Sequence, residues 1–218
     1  MQPYRQAQTI LRGLLRQAND QFRRLSALPF DGLNILETSK RTRQAYRRMD
    51  QANRAAYLEI SRNAYENGWM MAVQAGYSSK KKKYPDAKWV AAYLLALNGV
   101  TKYFYQSETE RKQLRLAEEM AADREIGNRS GLRQDVRAAA NAWWKQTEQY
   151  AIGAEDAAML DAFADAGVEK VRWVSYLDKK ACKICRERNG RVYRIEEVPE
   201  KPHYHCRCYL APVPPEKA

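Results

Sequence analysis

The first 181 residues contain no cysteine and no histidine, so that long stretch holds no disulfide, no thiolate nucleophile and no imidazole base or ligand. Also missing is an apolar run near the roughly 18 to 20 residues that span a bilayer. The closest approach, Trp89 to Val100, is too short and contains Asn98 and Gly99. The N-terminus lacks the apolar region of a signal peptide because Arg5, Arg12 and Arg16 interrupt it, so the expectation is a chain made in a cytoplasm, with no membrane partner. There is no phosphate-cradling glycine-rich loop, no Ser/His/Asp set and no paired-carboxylate motif. The sequence therefore nominates no catalytic residue and no small-molecule substrate. No internal repeat is visible.

What is present is charge of one sign. The 218 residues carry a formal net charge of +12. Residues 1–100 hold 17 Lys/Arg against 7 Asp/Glu, whereas residues 101–218 hold 21 against 19. The positive field thus belongs to the N-terminal half, where it would attract nucleic acid, an acidic protein surface or anionic lipid. With 45% hydrophobic and 29% charged residues and a mean hydropathy of -0.73, a core is expected, but in an elongated or partner-dependent body.

Hydrophobic periodicity predicts helices through most of that body. Ile10, Leu11, Leu14, Leu15, Ala18, Phe22 and Leu25 recur at intervals of three and four between Tyr4 and Leu28, with arginines on the other face. A second helix is expected over about 38–74, bearing Tyr46, Met49, Ala56, Tyr57, Ile60, Ala64 and Tyr65 and ending at Gly76. Further helices are expected over 87–98, 107–126, 132–150 and 154–166, with Trp143 and Trp144 as packing anchors and Gly167 as the last stop. Between the second and third lies Lys80, Lys81, Lys82 and Lys83, a self-repelling block bounded by Ser78 and Pro85 that reads as an exposed loop. Tyr77, Tyr84 and Trp89 flank it, so it serves as a solvated linker or contacts nucleic acid or an acidic partner, lysines holding phosphates while rings stack on bases.

After Gly167 the period changes. Residues 171–177, 191–195 and 209–213 have the near alternation and β-branched or aromatic content of short strands. The expected architecture is mainly α: a basic helical body over 1–167 and a small α+β module of short antiparallel strands over 168–218. So small a sheet buries too little apolar surface to stand unaided, which calls for a metal or a partner.

All four cysteines and both histidines fall in that module, as Cys182-x2-Cys185 and then, after 17 residues, His203-Tyr-His205-Cys206-Arg-Cys208. Two disulfides would need an oxidising compartment. One zinc ion explains the histidines as well, since a tetrahedral site takes four thiolate or imidazole ligands and two closely spaced pairs let two knuckles close on one ion. The preferred ligands are Cys182, Cys185, His203 and Cys206, with His205 and Cys208 as alternates because alternate residues of an extended segment share a face. Asn189-Gly190 supplies a turn, giving a hairpin between the knuckles. The role is structural; no nearby glutamate has the spacing of a general base.

These residues carry a resemblance. Trp173, Asp178, Cys182-x2-Cys185, Asn189-Gly190, Tyr193, Pro202-His203, Cys206-Arg207-Cys208 and Pro212-Val213 resemble, over about residues 167–213, the phage head morphogenesis family of minor head proteins similar to the F protein of bacteriophage Mu. The resemblance implies a low-copy component of a tailed-phage head, assembled in the host cytoplasm and carried in the virion. It would be associated with the portal or the major capsid protein, near packaged double-stranded DNA. Family members often carry an Arg-Thr-Glu motif in the helix before the module; the region compared with it, Ile152 to Asp156, reads differently. Asp178 is expected to shape the turn before the first knuckle by accepting backbone hydrogen bonds. Two other readings compete: a virion-delivered nuclease or toxin-like protein, disfavoured because a ββα nuclease needs a helix after its strand pair, and a sequence-independent DNA-binding protein.

Overall fold

The computed structural model describes residues 3–29, 34–77, 82–97, 102–203 and 206–215. Among them are α1 (Pro3–Ser26), α2 (Ile35–Gln74), α3 (Ala87–Leu97), α4 (Lys102–Glu125), α5 (Arg129–Asp165), β1 (Lys170–Val174), α6 (Lys183–Arg188), β2 (Val192–Arg194), a 3-10 turn at Ile195–Glu197, and β3 (Tyr209–Pro212). The expected mainly helical chain with a small C-terminal antiparallel sheet is the one observed.

Local chemistry sets the helix ends. The Asn34, Asp86 and Asn128 side chains accept from the backbone amides of Glu37, Trp89 and Gly131, capping α2, α3 and α5. The Asn34 cap explains why α2 begins three residues before Thr38. At the far end of α5, Val168 N donates to Phe163 O and Gly167 N to Ala164 O, a Schellman pair that requires the left-handed φ of 84° adopted by Gly167.

One helix was expected to be two. α5 runs unbroken from Arg129 through Gly153 to Asp165, although a mid-helix glycine costs about 1 kcal/mol relative to alanine. Ala151, Ile152, Ala154 and Ala158, all at most 2% exposed, hold that stretch against the core, and their packing outweighs the glycine.

The chain divides into two compact units. One comprises Leu11–Ala56 and Leu94–Thr147. Its core gathers Phe22, Tyr46, Met49, Leu116, Met120, Val136 and Trp143, and the Phe22 ring meets Tyr46 and Trp143 edge-on at 6.0 and 6.4 Å. Trp143 is therefore a packing anchor, with Trp144 against the same cluster.

The other unit comprises Met1–Ile10, Tyr57–Tyr93 and Glu148–Ala218. Here α2 and α5 approach closely: a Cβ placed on Gly68 would lie 3.0 Å from the Met159 carbonyl oxygen. Tyr65, Trp69 and Ala72 of α2 and Met159, Ala162 and Phe163 of α5 form one apolar cluster with Val171, Trp173 and Leu210 of the sheet. The strand order is β2-β1-β3, both pairings antiparallel, with Val171 opposite Tyr193 on one side and Pro212 on the other. The hairpin expected between the two knuckles is absent. β2 pairs with β1 instead, because α6 occupies residues 183–188 and leaves β2 no strand partner within the Cys182 to His203 segment.

Candidate metal centre

The central strand builds the site. Alternation along β1 buries Val171 and Trp173 against the helices, and two residues on Ser175 also points inward, 8% exposed. Its hydroxyl accepts from Trp173 Nε1 at 3.1 Å, donates to the Cys185 carbonyl at 2.6 Å, and lies 3.2 Å from Cys208 Sγ. One serine thus ties the sheet to both halves of the cysteine cluster. Nothing in its spacing marked it out beyond a position two residues after Trp173.

Asn189 and Gly190 fasten the end of α6 back to the same strand. Asn189 Oδ1 accepts from Ser175 N at 2.9 Å, and Gly190 N, at a φ of 80°, donates to Trp173 O at 2.8 Å. The positive φ turns the chain after that amide so that Arg191 O also accepts, from Trp173 N at 2.9 Å. Asp178 accepts from Lys180 N at 2.9 Å, and both its oxygens receive the Arg207 guanidinium. Arg186 adds bonds to the carbonyls of Ala181 and Asp178.

All four cysteines are free thiols. Two groups of potential ligand atoms, each mutually within 4.8 Å, form around them: Cys182, Cys185 and His203, and Cys185, Cys206 and Cys208. Cys185 belongs to both, its sulfur 4.0 Å from His203 Nε2 and 3.6 Å from Cys206 Sγ. His205 lies outside the described residues. Cys182 caps α6, its sulfur accepting from Cys185 N at 3.3 Å. Burial opposes a charge on Cys182, but that amide, the Cys185 thiol and the His203 ring together hold its pKa below the ordinary thiol value. Burial, reinforced by the Cys208 and Cys182 thiols and opposed by Cys206, pushes Cys185 up to about 12. Clustered thiols that resist ionisation together are what a divalent cation relieves, because it binds them as thiolates.

The dimensions suit such a cation. Zinc–sulfur bonds of about 2.3 Å in a tetrahedron put ligand sulfurs roughly 3.8 Å apart, near the spacing of Cys185 and Cys206. A cleft of about 20 Å³ is lined by Cys182, Cys185, His203 and Cys208 with Tyr176 and Arg207, room for one small sphere. The Cys/His cluster can hold a metal ion.

A buried charge cluster that the sequence did not announce supports the second knuckle. Lys201 Nζ reaches Asp156 Oδ1 of α5 at 2.7 Å, the lysine side chain being 5% exposed. Glu155 beside it is 4% exposed, and burial pushes its pKa up to about 7. A lysine two residues from a histidine gave no signal, since lysine is almost never buried. Upstream on α5, Thr147 and Glu148 are also buried, and Asn53 Nδ2 donates to Thr147 Oγ1 at 3.2 Å. They match the last two residues of the Arg-Thr-Glu pattern, with Gln146 at the arginine position, upstream of Ile152 to Asp156.

The lysine block is only half described. Lys80 and Lys81 lie outside the described residues. Lys82 donates to Glu66 at 3.0 Å and sits over the Trp69 ring at 5.5 Å, whereas the Lys83 backbone amide donates to Tyr65 Oη and its side chain is solvent-exposed. No helix among the described residues is long and apolar enough to cross a membrane.

No curated protein and no solved structure matches the chain. A family does, and its match reaches well upstream of the cysteine module, taking in all of α5. Just under half of the chain, residues 108–211, matches the family described as phage Mu protein F like protein.

Proposed function

We propose that this protein is a structural component of a tailed-phage head, present in low copy number at the portal vertex or inner shell and carried in the virion. The matched family is one of head morphogenesis, and that match is the observation carrying the reading. It is supported by a module whose metal-ligand cluster is continuous with an apolar core, Cys185, Cys206 and Cys208 packing with Trp173 and Phe163. Such a site stiffens a surface for a partner and requires no turnover.

Within that reading the module holds one structural zinc on Cys182, Cys185, His203 and Cys206. Cys182, Cys185 and His203 form one mutual group, and the fourth place goes to Cys206, whose sulfur is 3.6 Å from that of Cys185, with Cys208, which lines the cleft, as the alternate. Proximity to Cys206 favours a thiolate on Cys208. The Ser175 hydroxyl, 3.2 Å from Cys208 Sγ and 2.6 Å from the Cys185 carbonyl, holds both halves of the cluster in place. Zinc supplies a rigid cross-link between the α6 segment and the segment before β3, and the remaining residues orient the ligands.

The test is quantitative mass spectrometry of purified particles and procapsids, counting this chain against the portal and major capsid proteins. A fixed low copy number in both, with crosslinks to the portal or shell, is the expected result. Absence from particles would overturn the reading.

A further inference from the structure

The net charge is concentrated further than the sequence halves suggest. Residues 11–56, the α1–α2 part of one compact unit, carry ten arginines and lysines against four acids, a net of +6. All ten cations are solvent-exposed. The three acids among the described residues are each engaged by a cation on their own helix: Asp20 by Arg23, Glu37 by Arg41 and Asp50 by Arg54. That leaves Arg12, Arg16, Arg24, Arg43, Arg47 and Arg48 with no ion-pair partner among the described residues.

Three of these arginines lie on α1 and three on α2. Arg12, Arg16 and Arg24 extend over about 18 Å of α1 at the helical rise of 1.5 Å per residue. Arg24 of α1 and Arg48 of α2 line one depression of about 280 Å³, and the polar side chains beside them are Gln17, Gln21 and Asp20, the last already held by Arg23. Guanidinium groups with neutral amide donors are the set that grips phosphate and sugar oxygens without reading bases. An array of like charges repeated over that distance matches a ladder of phosphates better than the one or two carboxylates of a peptide. By contrast Lys82, in the lysine-rich loop, is already paired with Glu66.

We infer that the arginine face of α1 and α2 binds the phosphate backbone of double-stranded DNA, without sequence preference. This deepens the head-protein reading by giving the packaged genome a contact surface, and it rests on that reading only for where the contact is made. The probe is a 20-bp duplex of two unrelated sequences, titrated with the full chain by fluorescence anisotropy at several salt concentrations. The wild type binds both alike, with a log–log salt slope near -5 if all six arginines engage, at about -0.9 per phosphate neutralised. Arg24→Gln/Arg48→Gln loses at least about tenfold in affinity at low salt and reduces the slope by about 2. The comparison variant Arg133→Gln/Arg137→Gln removes equal charge from the exposed face of α5 and retains most of both.

Equal losses in the two double variants, or a wild type that ignores the duplex and binds an acidic protein surface instead, would overturn the assignment. Duplex binding by a chain absent from particles would refute the head-protein reading and leave this surface standing. Particle incorporation without duplex binding would do the reverse.

Discussion

Arg207 Nη1 and Nη2 donate to Asp178 Oδ2 and Oδ1 at 2.7 and 2.6 Å, so the residue between Cys206 and Cys208 is fixed to the segment leading into Cys182. The guanidinium also lies 5.7 Å from the Tyr176 ring centroid. The two halves of the ligand cluster are therefore joined by a two-pronged ion pair independently of any metal.

That pair predicts a pH signature. Arg207 holds the Asp178 carboxyl down to about 2. A carboxyl depressed in the folded state contributes stability above its ordinary pKa of about 3.9 and loses it as the pH falls toward 2. Asp178→Asn should melt below the wild type at pH 6, and the two melting temperatures should converge by pH 2. A gap that stays constant would show that the carboxylate charge is not what matters.

Glu155 should behave in the opposite sense. Its folded pKa is raised to about 7 by burial, so its contribution is fully present below the unfolded value near 4.3 and is lost as the pH rises to 7. Glu155→Gln should be more stable than the wild type at pH 8, on the order of 3 kcal/mol before relaxation, and little changed at pH 4. Thermal melts at the two pH values measure the difference.

Removing Lys201 should be costly for a reason a surface ion pair would not share. Lys201→Ala leaves Asp156 largely buried and beside Glu155, and breaking such a pair costs about 3 kcal/mol or more. Adding Asp156→Asn should restore a large part of that loss. Denaturant unfolding of the single and double variants checks both, and a double variant no better than Lys201→Ala would refute the account.

Metal content gives the most direct check on the cluster. Cys182→Ser/Cys185→Ser should take bound zinc from one ion per chain to none. It should also raise amide exchange through residues 171–203 and 206–213, since folding and binding are coupled in small sites. Unchanged protection with no metal would leave zinc without a structural role.

Much of this architecture was legible because it rests on periodicity. The apolar spacing of Leu11, Leu14, Ala18, Phe22 and Leu25 gave α1, and all five are buried; alternation gave the three strands. The confinement of cysteine and histidine to 27 residues located the cluster. What escaped depends on contacts between distant segments. Gly153 reads as a break until its buried neighbours are seen to hold it. Trp69 reads as one more apolar residue of α2, with no hint that it packs in the cluster containing Trp173. Ser175 and Lys201 are ordinary polar residues in sequence, distinguished only by what burial makes them bond. Periodicity reports that a face is covered, not which element covers it.

The pairing of β1 with β3 has a mechanical consequence. Val171 lies opposite Pro212 and Val174 opposite Tyr209, so the chain enters and leaves the module side by side, as at the neck of a bag. Tension applied across that neck loads the rungs one at a time, beginning at the hydrogen bond from Val213 N to Lys170 O, and the strands peel apart without sliding. Cys182 to Cys208 lies beyond the last of those rungs. A module built this way yields first at its neck, and the loop tied by Asp178 and Arg207 feels the load only after the neck has opened.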